Sequence, residues 1–161
     1  MNPVNLARRI MAGGRVAEPA PPKPAPREAG RVFGGSVQVR HVDSGSCNGC
    51  EIEVAAAFGP VYDADRYGAR LVASPRHADL VLVTGVVTHN MAEPLRRTVE
   101  ATPEPRMVVA VGECARNCGV FRDGFGVRGS VSDVVEVDDE VPGCPPEPEA
   151  IVEALRRATG R

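Results

Sequence analysis

Five cysteines, at positions 47, 50, 114, 118 and 144, are the residues of this 161-residue chain best suited to chemistry. A thiolate is both a nucleophile and a soft metal ligand. The five fall in three segments: Gly45-Ser46-Cys47-Asn48-Gly49-Cys50-Glu51, Gly112-Glu113-Cys114-Ala115-Arg116-Asn117-Cys118-Gly119 and Pro142-Gly143-Cys144-Pro145-Pro146. Every cysteine has a glycine within two residues. Glycine lets backbone pass close to a bulky inorganic core and leaves N–H groups free to bond its sulfurs. A [4Fe–4S] cubane takes four thiolates, and so does a structural zinc site. Zinc sites often use paired Cys-x2-Cys knuckles, whereas here only Cys47 and Cys50 have that spacing and three residues separate Cys114 from Cys118. Unligated thiols are the third reading. Disulfides fit less well, because five cysteines leave one over. Met1–Arg15 also lacks the apolar block of a secretory signal, so a reducing compartment is expected, where cysteine clusters favour metal.

Bringing three distant segments to one place requires a scaffold, and the hydrophobic pattern supplies one. Ser36–Val42 alternates and reads as a strand, with Ala69–Ser74 as a brief second candidate. Asp79–Val87 and Arg106–Val111 are nearly continuous apolar runs, as expected of strands buried on both faces. Val131–Val137 is a weaker strand candidate. Glu51–Phe58, Asn90–Ala101 and Pro146–Thr159 read as helices, the second with Asn90 as N-cap and Glu93 completing a capping-box-like start. Alternating strands and helices predict an α/β fold: a flavodoxin-like open parallel sheet with helices on both faces. In such sheets sites form beyond the carboxyl ends of the strands. Cys47 and Cys50 follow one predicted strand, Cys114 follows another, and Cys144 precedes the last helix. The same sheet edge can therefore receive all of them.

Composition excludes several classes. Hydrophobic residues make up 43% and charged residues 25%, ordinary for a globular domain. No apolar run reaches the roughly 20 residues of a membrane-spanning helix. Net charge is -2, which argues against bulk nucleic-acid binding. Residues 1–31 nevertheless carry six bases and two acids, a balance of +4, and leave the remainder at -6. This leading segment is expected to be a basic tail, with a short amphipathic helix over residues 1–14 and a Pro- and Ala-rich linker over 17–29. The cluster-binding domain then spans 32–161.

The three cysteine segments, with Arg40-His41-Val42-Asp43-Ser44 before the first and Ser74-Pro75-Arg76-His77-Ala78-Asp79 between, resemble the small-subunit family shared by nickel–iron hydrogenases and respiratory complex I, the NADH-quinone oxidoreductase. The resemblance covers about residues 36–156 and looks nearest to formate hydrogenlyase and energy-converting membrane-bound hydrogenases. It implies that Cys47, Cys50, Cys114 and Cys144 ligate one [4Fe–4S] cluster beside a catalytic large subunit, with Cys118 outside the ligand set. It further implies an oxidoreductase subunit, not catalytic alone, that passes single electrons between that large subunit and a ferredoxin-like iron–sulfur subunit. The resemblance also implies membrane subunits in the complex, with this chain placed peripherally on the cytoplasmic side of the membrane. The complex I version, which delivers electrons to quinone, has adjacent cysteines in its first motif, whereas here Asn48 and Gly49 intervene. That complex I counterpart remains the second reading, and a structural zinc module the reading of another class.

The other polar residues have bland expectations. Glu51 and Glu113, next to cysteines, suit helix N-termini more than proton relay. His41, His77 and His89 lack ligand spacing and read as structural. Arg40 and Arg76 divide between offsetting cluster charge and ordinary surface charge. Asp138-Asp139-Glu140 reads as a solvated loop. Gly124–Gly129 spells GxGxxG but lacks the strand before and helix after that a nucleotide site needs. The loops Asp43–Cys50, Cys114–Val120 and Val141–Pro146 are expected to form an apolar or poorly covered edge.

Overall fold

The computed structural model describes residues 3–13 and 33–161. Helix α1 (Pro3–Gly13) precedes the body; the proposed linker lies outside the described residues. The body runs β1 (Val37–Asp43), α2 (Gly49–Ala57), β2 (Ala69–Leu71), β3 (Leu80–Thr84), β4 (Val87–Thr88), α3 (Ala92–Ala101), β5 (Met107–Val111), α4 (Glu113–Asn117), β6 (Val127–Gly129), β7 (Asp139–Val141) and α5 (Pro148–Thr159).

Five strands form the main sheet in the order β2-β1-β3-β5-β7, and every pairing is parallel. Among these five strands that is the flavodoxin order, 2-1-3-4-5, whose ligand crevice lies where the order reverses, between β1 and β3. Strand alternation divides the core by face. Val37, Val39, Leu80, Leu82, Val109 and Val111 pack with Val54 and Ala57 of α2 and Ile151 and Leu155 of α5. Val42, Val81, Val83, Val108 and Ala110 pack with Leu95 and Val99 of α3. All five residues of β3 and all five of β5 are buried, which explains why neither alternates in sequence.

Four expectations need correction. The run Asp79–Val87 is two strands: Gly85, at φ +77, turns the chain out of the sheet, and Val87–Thr88 pairs antiparallel with β6 in a separate ribbon. A Cβ on Gly85 would lie 2.4 Å from the Ser46 nitrogen, so the first cysteine loop crosses there only because it is glycine. Helix α3 starts after Met91 with no side-chain cap, so Asn90 is not its N-cap; Glu93 instead pairs with Arg97 at 2.9 Å. Val131–Val137 holds no strand. Its start is a 3-10 turn, Val131–Asp133, closed by a Ser130/Asp133 capping box. The edge strand β7 lies instead in the expected acidic loop, where Asp139 is buried and held by Arg157 at 3.1 Å. An ion pair with α5 thus hides a charge that local composition assigns to solvent.

Candidate metal centre at the sheet's carboxyl edge

Each cysteine segment follows a strand of the sheet. Cys47 lies in the loop after β1 and is exposed; Cys50 is the second residue of α2 and is buried. Cys114 is the second residue of α4, directly beyond β5, and is buried. Cys144 is exposed in the loop joining β7 to α5. The four are close enough to act on one another electrostatically. Burial first, then Glu51, Cys114, Cys47 and Cys144, push the Cys50 thiol up to about 12. Burial, followed by Cys144, Cys47 and Cys118, raises Cys114 as well. Three distant stretches of chain therefore deliver thiols to one rim. Among the described residues no three histidine, cysteine or carboxylate side chains close around a single ion.

Gly112 shapes the middle of that rim. It sits at φ +88, where a Cβ would fall 2.6 Å from the Cys50 sulfur. Its N–H donates to the Val141 carbonyl, and the Glu113 N–H donates to the Gly143 carbonyl, both at 2.8 Å. These bonds draw the Cys114 and Cys144 segments together. The Glu113 carboxylate accepts from the Gly143 N–H at 3.2 Å, from Arg116 at 2.8 Å and from Asn117 at 2.8 Å. The Gly143 N–H first, then Asn117, hold its carboxyl below the usual carboxylate range. Arg116 also reaches Glu140 of β7 at 2.8 Å.

The first loop is braced by side chains. Asp43 accepts from the Gly45 and Ser46 N–H groups, each at 2.8 Å. The Ser44 hydroxyl donates to the Thr84 carbonyl at 2.7 Å. The Ser46 hydroxyl donates to Glu51 at 2.6 Å and accepts from the Asn48 N–H at 3.0 Å. The other Glu51 oxygen accepts from the Thr84 hydroxyl, which also meets His41 Nε2 at 2.9 Å. Glu51 is therefore a brace between loop, helix and sheet, more than a charge placed at a helix end. His41 is structural, as expected, and burial holds its pKa below the ordinary value.

Cys118 is buried beside Cys114, Val86 and Val127, with a left-handed backbone at φ +66. Arg76 is exposed in the turn feeding the amino end of β3, away from the thiol rim. Arg40 has a buried Nε with no hydrogen-bond partner. The apolar edge is only partly where expected. Residues 43–48 are braced by polar groups, while Val120, Phe121 and Phe125, just beyond Cys118, and Ile52, just beyond Cys50, are exposed apolar side chains. A surface cavity of about 400 Å³ lies at the opposite end of the sheet, lined by Arg96, Glu100, Arg106 and Asp138. None of its lining residues is a thiol. Sequence reasoning singled out the glycine beside Cys114 but missed its contact with the Cys50 sulfur, and it missed Thr84 and the Glu113–Gly143 link, since no local spacing signals a contact across 30 or more residues.

Fold and rim together define an α/β subunit that gathers thiols at a sheet edge, and comparison with known proteins places it. Residues 47–158 match the family described as NADH ubiquinone oxidoreductase, 20 Kd subunit, and the chain belongs to that family. It is 47% identical over 125 residues to a probable membrane-bound hydrogenase subunit of Pyrococcus furiosus, covering 78% of this chain and 75% of that one. It is 43% identical over 125 residues to formate hydrogenlyase subunit 7 of Escherichia coli, covering 78% of this chain and 49% of the relative. Among solved structures, a chain of the membrane-bound sulfane sulfur reductase, an archaeal respiratory membrane complex, superposes with a TM-score of 0.70 at 29% identity. That match covers 83% of this chain and 75% of the other.

Proposed function

We propose that this chain is the electron-transfer small subunit of a membrane-associated, hydrogenase-like oxidoreductase complex. In this reading Cys47, Cys50, Cys114 and Cys144 ligate one [4Fe–4S] cluster. The convergence of these four thiols from three segments carries the reading. The donor set fits: four thiols share one rim, and a positive-φ glycine lies against the Cys50 sulfur where a side chain would clash. A bound cluster of this kind takes up and gives back single electrons.

The residues of the chain prepare the site. Cys50 and Cys114, held protonated by burial, release protons when they ligate iron, so loading is favoured as pH rises. Glu51 and Glu113 hold the two sides of the rim in place. The exposed Ile52, Val120, Phe121 and Phe125 suit burial against a hydrogenase-type large subunit, which would bring the site within reach of a redox partner. A ferredoxin-like subunit and membrane subunits complete the proposed assembly. Among the described residues no helix is long and apolar enough to cross a membrane, which suits a peripheral place, here proposed on the cytoplasmic side. The family description favours a second reading, a quinone-reducing subunit of complex I. The separation of Cys47 from Cys50 by two residues supports the hydrogenase type.

Anaerobic reconstitution of the full chain tests the proposal. The expected product is brown, holds about four iron atoms and gives a paramagnetic signal on reduction. Cys47→Ala, Cys50→Ala, Cys114→Ala and Cys144→Ala each lose most of the iron, while Cys118→Ala keeps it. A colourless, zinc-loaded, EPR-silent protein overturns the electron-transfer reading. Iron lost with Cys118→Ala but kept with Cys114→Ala overturns the ligand assignment.

A further inference from the structure

The amino-terminal helix carries chemistry that the thiol rim does not use. Every α1 residue whose burial is described is exposed, including Ile10 at 63% and Met11 at 75%. At 100° per residue, Val4, Ala7, Ile10 and Met11 fall on one side of the helix, and Asn5, Arg8, Arg9 and Ala12 on the other. The helix has no acidic residue. Two arginines thus back an apolar stripe, the composition of a helix that lies in a lipid interface with its apolar side down.

Charge identifies the surface that would receive it. Residues 1–31 carry +4, while residues 32–161 carry -6. An anionic lipid surface attracts the first segment and repels the second, so it selects the helix over the body. The acidic body is a competing attractor for the same arginines, yet the described α1 residues are exposed rather than packed. Nineteen residues, 14–32, separate α1 from the described body, and five of them are proline.

We propose that α1 is a membrane-surface anchor: Ile10 and Met11 enter the interfacial layer of an anionic bilayer while Arg8 and Arg9 face its phosphates. The anchor is independent of cluster binding and stands or falls separately from it. Electrostatics supplies roughly a fivefold gain in partitioning for each arginine near an anionic surface. The apolar stripe is short, so neither component suffices alone. Inside a membrane complex such an anchor acts at high local concentration and restricts how the body meets its neighbours.

Vesicle flotation of the full chain tests this. The probes are pure phosphatidylcholine vesicles and vesicles in which about 30% of the lipid is phosphatidylglycerol, enough to give an anionic surface. The full chain floats with the anionic vesicles, and the bound fraction falls as salt rises. Ile10→Glu with Met11→Glu abolishes flotation. Arg8→Gln with Arg9→Gln weakens it about 25-fold, from two fivefold factors. Circular dichroism and iron content of both variants match the parent, because neither change touches the body. The proposal fails if the full chain stays with the soluble fraction. It fails equally if the chain floats as well on neutral vesicles, or if either double variant floats like the parent.

Discussion

The two sides of the thiol rim are built by different means. On the β1 side, side chains hold the loop: Asp43, Ser46, Glu51, Thr84 and His41 form one hydrogen-bonded chain from strand to loop to helix. On the β5–β7 side, backbone does most of the work. Gly112 and Glu113 donate to Val141 and Gly143, and a glycine replaces any side chain beside the Cys50 sulfur. The first loop departs from the sheet and needs polar groups to fix it. The second pair of segments continues from adjacent parallel strands, so the sheet register already brings them together. A side-chain brace yields gradually to substitution, whereas a close backbone approach tolerates almost none.

That difference orders three substitutions. Gly112→Ala has the largest expected effect. Its Cβ would sit 2.6 Å from the Cys50 sulfur, on a backbone at φ +88 that alanine rarely adopts. Strain and overpacking together cost about 2–5 kcal/mol. Thermal stability and iron content should both fall sharply; a variant that loads iron like the parent would show that the rim is pliable on this side.

Glu51→Ala comes next. It leaves the Ser46 and Thr84 hydroxyls without their acceptor, at about 1–3 kcal/mol. Glu51→Gln retains one carbonyl oxygen and should recover part of the loss in denaturant unfolding. Equal destabilisation by Ala and Gln would mean that charge, not bracing, is what matters there.

Glu113→Gln is the mildest, under about 1 kcal/mol, because the carboxylate is partly solvated and Gln still accepts from Gly143. Its signature is pH dependence. The folded carboxyl is held below its ordinary value, chiefly by the Gly143 N–H. Its contribution is therefore present above the unfolded pKa of about 4.5 and is lost as pH falls through the folded value. In thermal unfolding, parent and variant should differ at neutral pH and converge as pH falls through the folded value.

Much of this was legible in the chain itself. The apolar runs marked β3 and β5 and period-2 alternation marked β1; Cys47, Cys50 and Cys114 after predicted strands, with Cys144 before the last helix, pointed to the carboxyl edge. The failures share a physical cause. Asp139 looked like a solvated charge because its partner Arg157 is 18 residues away on α5. The run Asp79–Val87 looked like one strand because nothing local reveals that Gly85 must clear the Ser46 backbone. Helix α4 went unrecognised because five residues are too few to show a period.

The sequence by itself determined the layering of the fold, the thiol count and the segments that carry the thiols, because periodicity and residue type are local properties. Only the tertiary structure decided which backbone atoms bind which. It showed that Gly112 faces the Cys50 sulfur, that Glu51 reaches Thr84 and that Glu113 reaches Gly143. Those contacts join residues far apart in the chain, and they exist because parallel strands carry their carboxyl ends to a common edge.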